Sequence, residues 1–297
     1  MIRNGHLFRG QRKKEVFDLN TSIPAFRERC EKGAAKFGRL PQGVTVDPLV
    51  INGMTAEWLI PYGADASKAI MYLHGGGYVS GSCSDHRGII SKFAKNTGVA
   101  TLLYEYRLAP EHPFPAAVED SIRVYQWLLD AGYTPGNILF AGESAGGGLC
   151  LATLLALKER NLPMPVAAVA ISPWTDLTCA GESYRTKNSV SPAPLNSWHV
   201  FSHYYVGDDV ATNPLISPLF GDLGGLPPML INAGMDDELY DDGEQFYLKA
   251  RDAGIDVTFH AGVGMIHCYP LLAPMFREAT EAMNEIATFI KMHLQVR

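Results

Sequence analysis

From Lys68 onward, short apolar runs take turns with helical stretches, and this rotation limits the chain to very few folds. The runs at 69–73, 99–106, 137–141, 166–171, 229–233 and 256–260 read as strands. Helical patterns fill the intervals at 85–96, 115–131, 147–157 and 241–253, and a last one covers 278–293 with Ala279, Met283, Ile286 and Ile290 on one face. The first five strands are almost wholly apolar, so both of their faces are buried. Parallel sheets covered by helices on both sides have that texture. Ahead of the rotation lie two alternating segments, 44–51 and 55–60, joined through Asn52-Gly53, a strong hairpin signal. The expected class is therefore α/β, with a mainly parallel sheet that opens on an antiparallel pair.

Two segments stand outside this pattern. Residues 1–42 are polar and hold one expected helix over 23–37, with Asn20, Thr21 or Ser22 as cap and Pro24 in its first turn. Its apolar positions are too sparse for a core of its own, so it should lie on something larger. Residues 179–209 interrupt the rotation with Ser, Pro and aromatics, among them Tyr184, Trp198, Phe201, Tyr204 and Tyr205. This excursion reads either as a lid or pocket wall or as a helical connection packed on the surface. The division expected is an N-terminal cap segment, 1–42, and a catalytic domain, 43–297, with a cap insertion near 179–209.

Of the 297 residues, 47% are hydrophobic and 19% charged, which suits a globular chain with one large core. A net charge of −6 without a long Lys/Arg run argues against nucleic acid as a partner. No apolar stretch of about 18 residues is present, so no membrane span is expected. The polar, basic start has no apolar run after it, and the five cysteines are scattered; both point to a reducing, cytoplasmic setting. Either a monomer or a homodimer fits the sequence.

Gly142-Glu143-Ser144-Ala145-Gly146 sits between the strand at 137–141 and the helix that follows. G-x-S-x-G in that position is a nucleophile elbow: a tight turn lifts the serine hydroxyl above the sheet, and small neighbours let strand and helix approach. A serine nucleophile needs a base, a carboxylate to orient the base, and donors for the oxyanion. His74-Gly75-Gly76-Gly77 follows a strand directly, so the N–H groups of Gly75, Gly76 and Ala145 are the expected oxyanion donors. The alternative, a phosphate cradle, lacks its Gly-Lys-Ser/Thr ending. Among the histidines after Ser144, His293 falls in a solvated helix end and His260 at a strand edge. His199 and His203 lie four apart with no third metal ligand evident, so no metal is expected. His267, in a loop just beyond the last strand, is the expected base. The loop after strand 229–233 carries Asp236, Asp237, Glu238, Asp241 and Asp242. The last two are placed to cap the next helix, which leaves Asp236 or Asp237 as the orienting acid.

Taken together, H-G-G-G and G-x-S-A-G resemble the hormone-sensitive-lipase-like branch of the α/β-hydrolases, which includes many bacterial carboxylesterases. Tyr106-Arg107-Leu108-Ala109-Pro110-Glu111-His112-Pro113-Phe114-Pro115-Ala116-Ala117 and Ser172-Pro173-Trp174-Thr175-Asp176-Leu177 are similar to further motifs of that branch. The resemblance implies an eight-stranded sheet, a cap built partly from the N-terminal segment, and cofactor-free hydrolysis of a small-molecule ester with a short or medium acyl chain. The family's commoner acid pattern, D-P-L-x-D, aligns Asp237; a second, D-E-x-L-x-D-D, aligns Asp236 without a gap from Pro228. Asp236 is thus the expected acid and Asp237 its alternate. A binding or receptor protein on the same scaffold, and an acyltransferase or lactonase with the same triad, are the competing functions.

Overall fold

The computed structural model describes residues 14–34 and 39–296. In it a single eight-stranded sheet runs in the order β1-β2-β4-β3-β5-β6-β7-β8. Strands β1 (Val44–Ile51) and β2 (Met54–Pro61) form the expected hairpin, with Asn52 and Gly53 both at positive φ between them. β2 also pairs antiparallel with β4 (Thr101–Tyr104), and every pairing from β4 to the far edge is parallel. The remaining strands are β3 (Ala69–Leu73), β5 (Ile138–Glu143), β6 (Ala167–Ile171), β7 (Met229–Gly234) and β8 (Val257–Gly262).

The period of two sorts the strand side chains onto two faces. Ile70, Tyr72, Leu139 and Val169 turn toward α2 (Cys83–Thr97) and α8 (Arg277–Leu294), where Phe93, Met283, Ile286 and Ile290 meet them. Met71, Leu73, Phe140 and Ala168 turn toward α3 (Ala116–Asp130), α4 (Ala145–Glu159) and α7 (Tyr240–Asp252). Each fully buried Ile or Met in these layers contributes roughly 1.5–3 kcal/mol over its exposed state. Helix α4 is buried continuously from Ala145 to Leu157, which explains its apolar composition all round.

The first helix, α1, spans Ile23–Ala34; the expected continuation to 37 lies outside the described residues. Of the three cap candidates, Ser22 supplies the contact, its Oγ accepting the Ala25 N–H at 3.3 Å. Phe17 donates to the Leu195 carbonyl and Leu195 to that of Glu15, both at 2.9 Å, so the N-terminal segment and the 179–209 excursion pair directly. The excursion holds α5 (Ser183–Thr186) and α6 (Ser197–Val206). Phe17, Phe26 and Phe201 close the junction with ring centroids 5.3–5.8 Å apart. Arg27 of α1 reaches the body of the molecule, donating to the Val79 and Ala109 carbonyls and pairing with Glu111 at 2.7 Å.

Candidate active site

Ser144 occupies the turn between β5 and α4 with φ 57° and ψ −125°, a conformation that costs a non-glycine residue about 1–3 kcal/mol. The turn is held on both sides. The Ser144 N–H donates to the Ile171 carbonyl at 2.9 Å, and the Ser144 carbonyl accepts from Trp174 and Gly148 at 3.0 and 3.1 Å. Close packing explains Gly146, where a Cβ would lie 2.1 Å from the Leu73 carbonyl oxygen.

His267 lies in the loop after β8, and its Nδ1–H donates to Asp237 Oδ2 at 2.7 Å. The carboxylate against the imidazole is therefore Asp237, not the expected Asp236. The reason is local. Strand β7 extends one residue further than its apolar run, through Gly234, so the chain turns later. Asp236 then anchors the turn, its N–H donating to the Met265 carbonyl at 2.9 Å, while its side chain faces Lys187 at 3.3 Å. Asp237 is fully buried and also accepts the Leu239 N–H at 3.1 Å. Burial disfavours a charged imidazole, but the Asp237 carboxylate outweighs it, with help from the Cys268 thiol, and holds His267 well above its usual range.

Asp241 and Asp242 are likewise not caps of their own helix. They sit in the first turn of α7 and bind other segments. Asp242 Oδ2 accepts the N–H groups of Thr175 and Asp176, both at 2.8 Å, and Asp241 accepts that of Ser183 at 2.8 Å. Burial, with the Asp176 carboxylate nearby, pushes Asp242 well above the ordinary carboxylate range. The segment after β6 thus joins all three parts of the site. Trp174 contacts the elbow, Thr175 and Asp176 the first turn of α7 just after the acid loop, and the Ser172 hydroxyl accepts the Cys268 N–H beside His267 at 3.1 Å.

The glycine loop after β3 requires a second correction. The Gly75 N–H is already engaged, donating to Glu143 Oε1 at 2.7 Å. Among the described residues, no protein acceptor takes the N–H groups of Gly76, Gly77 or Ala145. Gly76 turns the chain at φ 111°, where a Cβ would meet the Ser80 carbonyl oxygen at 2.2 Å. Ala145 opens α4, whose N-terminal dipole favours negative charge at the same place. Below the loop, His74 donates from Nδ1 to the Gly75 carbonyl at 2.8 Å and stacks on Tyr106 at 4.2 Å. The Tyr106 hydroxyl donates to the His74 carbonyl at 2.7 Å.

Ser144, His267 and the Gly75–Gly77 loop line one cavity of about 360 Å³. Its apolar walls come from Phe26 of α1, Trp198 and Phe201 of α6, and Ile89, Leu271 and Leu272. Trp198 packs edge-on to His267 at 5.6 Å. A larger cavity of about 720 Å³, lined by Cys179, Tyr184, Arg185, His199 and Glu238, shares Trp198 with the first but contains neither Ser144 nor His267. Neither the Arg27 contacts nor the Glu143 contact has a signature in the sequence, because both join segments far apart in the chain.

This strand order, with a serine elbow after β5 and the acid and histidine in the loops after β7 and β8, defines an α/β hydrolase. A family profile described as alpha/beta hydrolase fold matches residues 70–271. An acetyl-hydrolase of Streptomyces hygroscopicus is 38% identical, the match covering 94% of each chain. The crystal structure of an esterase from the bacterial hormone-sensitive lipase family superposes with a TM-score of 0.89 at 37% identity, over 93% of each chain. The crystal structure of EstE5 soaked with p-nitrophenyl butyrate gives a TM-score of 0.91 at 37% identity, covering 98% of this chain and 97% of that one. The chain belongs to the α/β-hydrolase family, in its bacterial hormone-sensitive-lipase branch.

Proposed function

We propose that the chain is a serine carboxylesterase acting on short- to medium-chain esters through an acyl-enzyme on Ser144. The observation that carries this is the Asp237–His267 hydrogen bond beside the cavity that also holds Ser144. Neutral His267, its Nδ1–H fixed by Asp237, takes the Ser144 proton at Nε2 as the hydroxyl attacks the ester carbonyl. The N–H groups of Gly76, Gly77 and Ala145 receive the oxyanion, and the imidazolium then protonates the leaving alcohol. Water repeats the sequence on the acyl-enzyme and frees the acid. Asp236 has no part in this scheme, and Gly75 supports the loop instead of donating to substrate.

The N-terminal segment and the insertion near 179–209 serve as a cap. Support comes from Phe26, Trp198 and Phe201, which wall the cavity. The names of two relatives, acetyl-hydrolase and ethyl acetate hydrolase, support a small acyl group as the substrate of this chain. No helix among the described residues is long and apolar enough to cross a membrane. A cytoplasmic location is supported by the five free thiols, and recovery of the protein outside the cytoplasm on cell fractionation would count against it.

Turnover of p-nitrophenyl acetate and butyrate by Ser144→Ala tests the reading. Loss of about 10³-fold or more in kcat with an unchanged melting temperature is expected. Undiminished turnover would end it. Absence of turnover in the parent would return the binding-protein alternative.

A further inference from the structure

The contact that occupies Gly75 belongs to a longer buried chain of groups. Glu143, the residue before Ser144, is 4% exposed. Its Oε1 accepts the Gly75 N–H at 2.7 Å and lies 3.0 Å from His86 Nε2. His86 Nδ1 pairs with Asp85, whose Oδ1 also accepts the Ser82 N–H at the start of α2. A capping box between Ser82 and Asp85 fixes that end. The glycine loop is thereby tied through two side chains to a helix terminus.

We infer that His86 is a positioning residue for ester cleavage: with Asp85 it holds Glu143 beneath the oxyanion loop and neutralises that carboxylate. The inference rests on the esterase reading above. A carboxylate is the wrong charge to have beside a developing oxyanion in a water-poor site, where charges interact strongly. The proximity is close: a Cβ on Gly75 would stand 3.1 Å from both the Glu143 carbonyl oxygen and Ser144 Cβ. An imidazolium at His86 offsets the charge and leaves Glu143 free to hold the loop. Burial works against a charged His86, but hydrogen bonds and attraction from Asp85 and Glu143 prevail and lift it to about 10. Its neighbour His74 is held down to about 4, by burial and then by the charge on His86. Tyr72, Tyr106 and Cys268 also face Glu143; burial raises all three, so they add no charge at neutral pH.

The test compares His86→Gln with the double variant His86→Gln/Glu143→Gln, using p-nitrophenyl butyrate. In the single variant kcat should fall about 10- to 100-fold while KM changes less than about threefold. In the double variant the carboxylate beside Gly75 is gone, an amide oxygen still able to accept its N–H stands in its place, and Asp85 keeps the Ser82 N–H, so kcat should recover at least about tenfold. A merely structural role for His86 predicts no recovery. A single variant with parental kcat, or a double variant no better than the single in turnover or in folding, overturns the inference. Should His86→Gln fail to fold, the double variant must fold and turn over, because the buried Glu143 carboxylate is gone while Asp85 still accepts the Ser82 N–H. An inactive parent would instead refute the esterase reading.

Discussion

Asp236 and Asp237 are adjacent carboxylates in the same loop, and it is Asp237 that accepts the hydrogen bond of the histidine. Asp237 is fully buried against His267, whereas Asp236 faces Lys187 at the rim. Asp237→Asn should lower kcat by about 10³- to 10⁴-fold, through loss of the tautomer and of the stabilised imidazolium. Asp236→Asn should change kcat/KM by less than about fivefold, the worth of a part-exposed ion pair. The same pair sets a pH dependence. The base must be neutral, and Asp237 raises His267 above its ordinary 6.5. The ascending limb of kcat/KM should therefore lie above pH 6.5, with activity low below it and reaching a plateau beyond it. Asp237→Asn should move that limb to lower pH as its plateau falls. Measured profiles of parent and variant decide the point, and a limb that stays put would separate His267 from the rate.

At the level of elements, Trp198 lines both the site cavity and the larger one, which Tyr184 and Arg185 of α5 also line. With the indole in place, rates across p-nitrophenyl esters should peak at short chains. Trp198→Ala should join the two spaces and raise the octanoate-to-butyrate ratio of kcat/KM by about tenfold, the value of one or two buried methylenes at about 0.8 kcal/mol each. An unchanged ratio would place the acyl chain elsewhere. The elements themselves were readable from the sequence to different degrees. Strands such as β3 and β5 are apolar on both faces, and the Asn52-Gly53 turn fixed the hairpin in advance. Strand ends were not readable to the residue. The single extra residue of β7 was enough to exchange the two aspartates. The contacts of Arg27 with Val79, of Glu143 with Gly75 and of His86 with Glu143 carry no local signal, since these partners meet only when the sheet assembles.

For the molecule as a whole, the sheet delivers residues scattered along the chain to one edge. The loops after β3, β5, β6, β7 and β8 converge at the C-terminal ends of parallel strands, where α/β sheets carry their sites. Residues 14–34 and the 179–209 insertion pair with each other through Phe17 and Leu195, and Phe26, Trp198 and Phe201 from these segments wall the cavity at that edge. The serine, histidine and glycine motifs revealed this plan because each follows a strand in the order the topology requires. The apolar walls of the cavity could not be read in the same way, because they depend on how aromatic side chains from two distant segments fill the space. In the proposed mechanism, Ser144 carries the reactive hydroxyl among the described residues. Treating the intact protein with a stoichiometric organophosphate and mapping its peptides by mass tests it most directly. A single adduct on Ser144, formed in step with the loss of ester turnover, is the predicted result; an adduct at another residue, or full inhibition with Ser144 unmodified, would contradict it.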